Sequence, residues 1–219
     1  MLELLFDPSK SPLRVLCLGA HCDDIEIGCG ATIQFLGAAK SALDLHCVIF
    51  SSDDRRARET KTAMEMLVGN YGECLLEFHS FRDGFFPAER AELKEYFESL
   101  KSVAPDLVLT HQLEERHQDH RLVAELTWNT FRNHLILEYE IPKYDGLLAQ
   151  PNVFVPLARA HRKRKTKALL SVFASQRDKR WFTEETFDAL MRLRGIESAA
   201  PEGYAEAFVG RKLTLNVTT

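Results

Sequence analysis

No apolar run in this sequence approaches the roughly 18 residues that a membrane-crossing helix needs, and its opening has an acidic residue, a proline and only a short apolar piece. No cysteines are paired at C-x-x-C spacing, which argues against a zinc ribbon. The five that are present, at 17, 22, 29, 47 and 74, are odd in number and lie mostly in or beside apolar runs, so reduced thiols in a cytoplasmic protein are expected. Positive charge is not in excess either. Lys and Arg number 28 against 32 Asp and Glu, a formal charge of −4, and no global basic field recruits nucleic acid or an anionic membrane. Internal repeats and low-complexity segments are missing. What remains is a globular chain of 219 residues, 45% hydrophobic and 27% charged, enough for one good core and read as a single domain over 1–219.

The apolar pattern alternates between two periods. Val15–Ala20 is a continuous apolar run suited to a central parallel strand. It breaks at Gly19-Ala20 into a polar loop, and helical spacing resumes over Thr32–Lys40. Leu45–Phe50, the 56–67 amphipathic stretch, Leu75–Phe81 as an edge strand, a helix after Pro87 to about Val103, and Leu107–Thr110 continue the alternation. Leu122, Val123 and Leu126 lead another helix; strands at 136–141 and 153–155 and helices near 162–174 and 184–194 follow before a β-prone tail. Pro8 and Pro12 frame a turn in the lead-in. Such βα repetition predicts an α/β fold: a Rossmann-like, mostly parallel sheet flanked by helices.

In such a sheet the carboxyl ends of the strands share one edge, so loops far apart in sequence meet there. His21, Asp23 and Asp24 follow one strand, and His117, Asp119 and His120 follow another. Buried together, these groups need a counter-charge. A divalent cation supplies it, and two His plus one carboxylate is a common catalytic zinc shell. Spacing does not say which of the adjacent aspartates would ligate and which would reach a water. Taken singly, each loop also reads as hydrogen-bonded loop residues or helix caps; their pairing at two strand ends is what points to metal.

The segment Ala20-His21-Cys22-Asp23-Asp24-Ile25-Glu26-Ile27-Gly28-Cys29-Gly30-Ala31-Thr32 resembles the A-H-P-D-D-x-E-x-G-x-G-G motif of the PIG-L/LmbE-type zinc-dependent N-deacetylases, and His117-Gln118-Asp119-His120 resembles their H-x-D-H motif. Weaker similarity extends to Arg56-Ala57-Arg58-Glu59, Asp83-Gly84, Ser175-Gln176, Arg194-Gly195 and Tyr204–Phe208. The resemblance implies that His21, Asp24 and His120 bind one zinc and that Asp23 is the general base. It further implies that His117 polarises the amide carbonyl or protonates the leaving amine, and that Asp119 tunes a neighbouring imidazole. Arg56 matches a substrate-contacting arginine, with Arg58 and Asp83 as further candidates for that task. The implied substrate is an N-acylated, expectedly N-acetylated, amino sugar or its conjugate. Cys22 stands in place of the motif's Pro, Ala31 in place of its second Gly, and Glu115 where the family often has Asp.

Other readings compete. His21-x-Asp23 with a remote His also spells the facial triad of a non-haem iron oxygenase, and a non-catalytic metal- or sugar-binding module would need the same ligands. Gly28-x-Gly30 opens like a dinucleotide fingerprint, but position 33 is Ile, so the glycines are assigned to close packing. The basic cluster Arg159, Arg162, Lys163, Arg164, Lys165 and Lys167 could attract a phosphorylated or nucleotide-linked sugar, and otherwise reads as a solvated helix face. Trp128 and Trp181 are expected to pack.

Overall fold

Leu16 and Cys17 are neighbours in sequence but enter different cores, because successive side chains of a strand point to opposite faces. In the computed structural model, which describes residues 1–6, 12–39, 43–146 and 148–214, strand β1 (Leu13–His21) sends Leu16 and Leu18 to one core and Val15 and Cys17 to the other. Strand β2 (Leu43–Ser51) divides likewise, with Val48 and Phe50 on the first side and Leu45, Cys47 and Ile49 on the second. Both faces are therefore covered, which is the burial a parallel sheet requires.

Two more parallel strands, β3 (Gly72–Phe78) and β4 (Leu107–Thr110), flank this pair, and β5 (Leu135–Tyr139) follows β4. Strands β6 (Val153–Pro156) and β7 (Ala205–Val209) complete one sheet of order β3-β2-β1-β4-β5-β7-β6, in which β7 alone runs opposite to the other six strands. The α/β, mostly parallel expectation holds, and β3 is the edge strand its Glu and His suggested. Helices α1 (Asp24–Ala39), α2 (Asp54–Val68), α5 (Arg159–Val172) and α6 (Glu184–Glu197) contribute to one core; α3 (Arg90–Ser99) and α4 (Gln118–Thr130) cover the other. From β1 the chain winds to β2 and β3 on one side, then returns to β4 on the other. This reversal is the switch point at which doubly wound sheets bind ligands.

Helix α1 departs from the sequence reading. It begins at Asp24 rather than Thr32, and it is kinked at Cys29, whose φ of −143° and ψ of 15° are not helical. Apolar periodicity sees only the part beyond the kink. A helix broken there exposes backbone groups, and two distant charges answer them. The Glu206 carboxylate accepts from Ala31 N at 3.1 Å and Thr32 N at 2.6 Å, while Lys165 Nζ donates to Ile27 O at 2.5 Å and pairs with Glu206 at 2.5 Å. The glycines lie within the helix, and a Cβ on Gly28 would stand 2.2 Å from Tyr139 Cδ2. Close packing, not a nucleotide, explains them.

Lys165 also corrects the reading of the basic cluster as a solvated face, since it is only 3% exposed. Arg162 is half-buried and donates to Asp188, whereas Arg159, Lys163, Arg164 and Lys167 are exposed as expected. Trp181 packs on the core, and Trp128 donates to Glu138 at 2.6 Å. The cysteines are free thiols. No helix among the described residues is long and apolar enough to cross a membrane. Pro8, Lys40 and the end of the β-prone tail lie outside the described residues.

Candidate metal centre

Parallel pairing of β1 with β4 brings the two polar loops to one rim. His21 is the last residue of β1, and Asp24 is the first of α1. On the other side His117 caps α4, its side chain accepting from Asp119 N at 3.3 Å, so that Asp119 and His120 occupy the first helical turn. All four of His21, Asp24, Asp119 and His120 are buried.

Three atoms able to ligate a metal lie within 4.8 Å of one another. His21 Nδ1 lies 3.1 Å from His120 Nε2 and 3.6 Å from Asp24 Oδ2, and His120 Nε2 lies 3.5 Å from Asp24 Oδ2. A tetrahedral zinc with bonds near 2.0–2.1 Å needs its ligands about 3.3 Å apart, so the triangle matches three vertices and leaves the fourth open. The charge balance agrees with this geometry. Burial alone would depress His21, but hydrogen bonds to Asp119, Asp24 and Asp83 hold its imidazole well above the usual range, so the surroundings favour positive charge here.

The next layer orients these side chains. Asp119 Oδ2 is 3.2 Å from His21 Nε2, and the same carboxylate accepts from Gly84 N at 2.6 Å and Phe86 N at 3.1 Å. It thus ties β1, α4 and the loop after β3 together. Asp83, exposed at the rim, reaches His21 Nε2 at 3.0 Å. That hydrogen bond holds the Asp83 carboxyl down at about 2. Behind Asp24, the ring of His111 lies 3.2 Å away through Nε2, which accepts from Ala20 N at 2.9 Å. Lys143 Nζ approaches His120 Nδ1 at 2.9 Å and Glu115 at 3.1 Å, and Glu115 is 3.5 Å from His120 Nδ1. His111 and Lys143 had no role in the sequence reading, and Glu115 entered it only as the residue standing where the family often has Asp. For His111 a signal existed: it follows immediately upon the buried strand β4, as His21 follows the apolar run Val15–Ala20.

Asp23 does not join the triangle. Its backbone has a φ of 92°, and its carboxylate turns to Arg56, whose Nη2 donates to Asp23 Oδ1 at 3.2 Å and to Cys22 O at 2.6 Å. Burial and the neighbouring Asp24 carboxylate raise Asp23 to about 7. Arg58, two residues further along α2, is exposed and forms no bond to this cluster; about 200° of helix rotation separates it from Arg56.

Beneath the loop, Glu26 is fully buried, with Oε1 unpartnered, and burial lifts its carboxyl to about 8. Between its unfolded value of about 4.3 and that raised folded value, the folded chain keeps a proton the unfolded chain releases. Stability therefore falls as pH rises through this window, by at most about 1.4 kcal/mol per unit. Glu26→Gln should flatten the fall. Urea midpoints at pH 5 and 8, with chelator present, measure it, and equal slopes in both proteins would remove Glu26 as the cause.

Residues 16–131 match the family model described as PIG-L, GlcNAc-PI de-N-acetylase. No curated protein matches the sequence. Among solved structures, the conserved protein TT1542 from Thermus thermophilus is 21% identical, with a TM-score of 0.72 over 94% of this chain and 97% of that one. GalB, the 4-carboxy-2-hydroxymuconate hydratase from Pseudomonas putida KT2440, is 19% identical, with a TM-score of 0.73 over 94% and 100%. The N,N'-diacetylchitobiose deacetylase from Pyrococcus horikoshii is 20% identical, with a TM-score of 0.65 over 92% and 84%. At such identities the likeness concerns the fold, and a fold shared by a hydratase and a deacetylase does not choose the reaction.

Proposed function

Because the chain belongs to the GlcNAc-PI de-N-acetylase (PIG-L) family, we propose that it uses one zinc ion to hydrolyse the N-acetyl group of an amino sugar or amino-sugar conjugate. The observation that carries this reading is the triangle of His21 Nδ1, Asp24 Oδ2 and His120 Nε2 with the separate carboxylate of Asp23 beside it. These three residues would hold the metal. Zinc bound there would supply a Lewis acid and lower the pKa of a coordinated water.

The chain's own groups do the rest. Asp23 takes the proton of the attacking water, since a buried carboxyl near 7 is matched to that task. His117 Nδ1 accepts from Asp119 N, which leaves the hydrogen on Nε2. Burial and the His21 charge hold this imidazole below its usual range, so it acts as a neutral donor to the carbonyl oxygen as negative charge builds there. Asp119 accepts the Nε2 hydrogen of His21 and so keeps Nδ1 free for the metal. Arg56, beside Asp23, is the substrate contact, and Asp83, exposed next to His21 Nε2, is a rim contact, whereas Arg58 is turned away from Arg56 along α2 and has no part in the site. A phosphorylated or nucleotide-linked sugar would meet Arg56 at the site, and Lys165 of the 159–167 cluster is buried and takes no part in holding it.

Acetate release from a panel of N-acetylated sugars, free, phosphorylated and nucleotide-linked, tests the reading. Release should vanish with chelator and return with zinc. Binding of these sugars without acid release would favour a binding module, and oxygen-dependent turnover with iron would favour the oxygenase, although the parallel sheet is not the β-rich barrel that chemistry commonly uses. Asp119→Ala should weaken zinc about 10–100-fold, read by competition with a chromophoric chelator; unchanged affinity would remove Asp119 from the support of His21.

A further inference from the structure

Three non-glycine residues in the described chain have positive φ, and of these only Asp23, at 92°, lies in the site. That value falls outside the small left-handed region open to most side chains, and such strain persists only where the surroundings impose it. Two bonds fix the flanks: Ile27 N donates to Asp23 O at 2.9 Å, and His21 N donates to Asp24 Oδ2 at 2.7 Å. Neither restrains the Cys22–Asp23 peptide or the Asp23 carboxylate. Cys22 does not restrain them either, because its thiol turns to Ser52 Oγ at 3.3 Å and its φ is not locked by a ring.

Arg56 acts on both. One nitrogen, Nη2, donates to Cys22 O and to Asp23 Oδ1. The arginine is itself anchored, since its backbone N donates at 2.8 Å to Oδ1 of Asp53, the residue capping α2. A planar guanidinium on a capped helix start is a rigid strut.

We infer that Arg56 is a positioning residue, which holds the Cys22–Asp23 peptide and the Asp23 carboxylate in the strained geometry from which Asp23 works as base. This rests on the deacetylase reading above and adds to the substrate contact assigned to Arg56. The strut acts on backbone, so a backbone restraint should replace it. Proline at position 22 fixes φ without supplying a charge.

The test compares wild type, Arg56→Gln and the double variant Cys22→Pro/Arg56→Gln, each zinc-loaded, by kcat and KM and by amide exchange at Ile27. Arg56→Gln should lower kcat about 100-fold with zinc content unchanged, and speed Ile27 exchange at least about tenfold while Leu16 and Cys17 in β1 stay protected. The proline should restore most of both losses. A rise in KM alone, with Ile27 still protected, would overturn the inference and leave Arg56 as a substrate contact only. If wild type releases no acetate, the functional reading fails, and exchange at Ile27 alone decides: faster exchange in Arg56→Gln, reversed by the proline, sustains the strut, and unchanged exchange rejects it. Should the double variant not fold, Arg56→Gln exchange carries the same decision.

Discussion

Asp23→Asn should keep its zinc and lose its turnover. The three atoms of the ligand triangle belong to His21, Asp24 and His120, none of which the substitution touches. Asparagine keeps an Oδ1 acceptor for Arg56 Nη2, so the loop is retained and only the proton-accepting capacity is removed. General-base contributions run to about 10²–10⁴ in rate, and kcat should fall within that range while metal content stays at one per chain. Parallel measurement of kcat and bound zinc decides the matter: a variant turning over within threefold of wild type would strip Asp23 of the role. Asp23→Ala is the poorer experiment, because it also takes away the partner of a half-buried arginine.

The largest stability effect belongs to Lys165. Its ammonium is paired with Glu206 inside the protein, with side-chain exposures of 4% and 3%. Lys165→Met leaves the Glu206 carboxylate buried beside Ala31 N and Thr32 N alone, and orphans Ile27 O at the kink of α1. Breaking a buried pair from one side costs about 3–5 kcal/mol, which for a chain of this size lowers Tm by about 10 °C. Replacing both residues with apolar ones should cost less than Lys165→Met by itself in charge terms, though the helix would still lose its carboxylate acceptor. Calorimetry of the three proteins checks this; a Lys165→Met protein melting within 2 °C of wild type would mean that water reaches the pair.

Much of the architecture was legible because the cues were local. Val15–Ala20 and Leu107–Thr110 are too uniformly apolar to be anything but central strands, and each is followed at once by a polar, histidine-bearing loop. Parallel topology then requires the loops to meet. The start of α1 was misplaced because its first turns carry Gly28 and end in a kink at Cys29, with Gly30 just beyond it; no local rule expects a helix through Asp24-Ile25-Glu26-Ile27-Gly28-Cys29-Gly30. Lys165 looked like one more cation on a basic helix, since its partner lies 41 positions away on β7.

The order of residues alone therefore settled the class of fold and the family, and it pointed to His21, Asp24, Asp119 and His120 at one rim while missing His111, since the former are written in short-range pattern and spacing. Which partner each carboxylate faces was decided only by the tertiary structure. Asp24 faces His120 across 96 positions, Asp119 reaches back to His21, and Asp23 is turned aside to Arg56. Adjacent aspartates carry the same chemistry in one dimension. They diverge because one begins a helix and the other is bent to a positive φ, and that difference in backbone direction exists only once α1, α2 and β4 have packed around them.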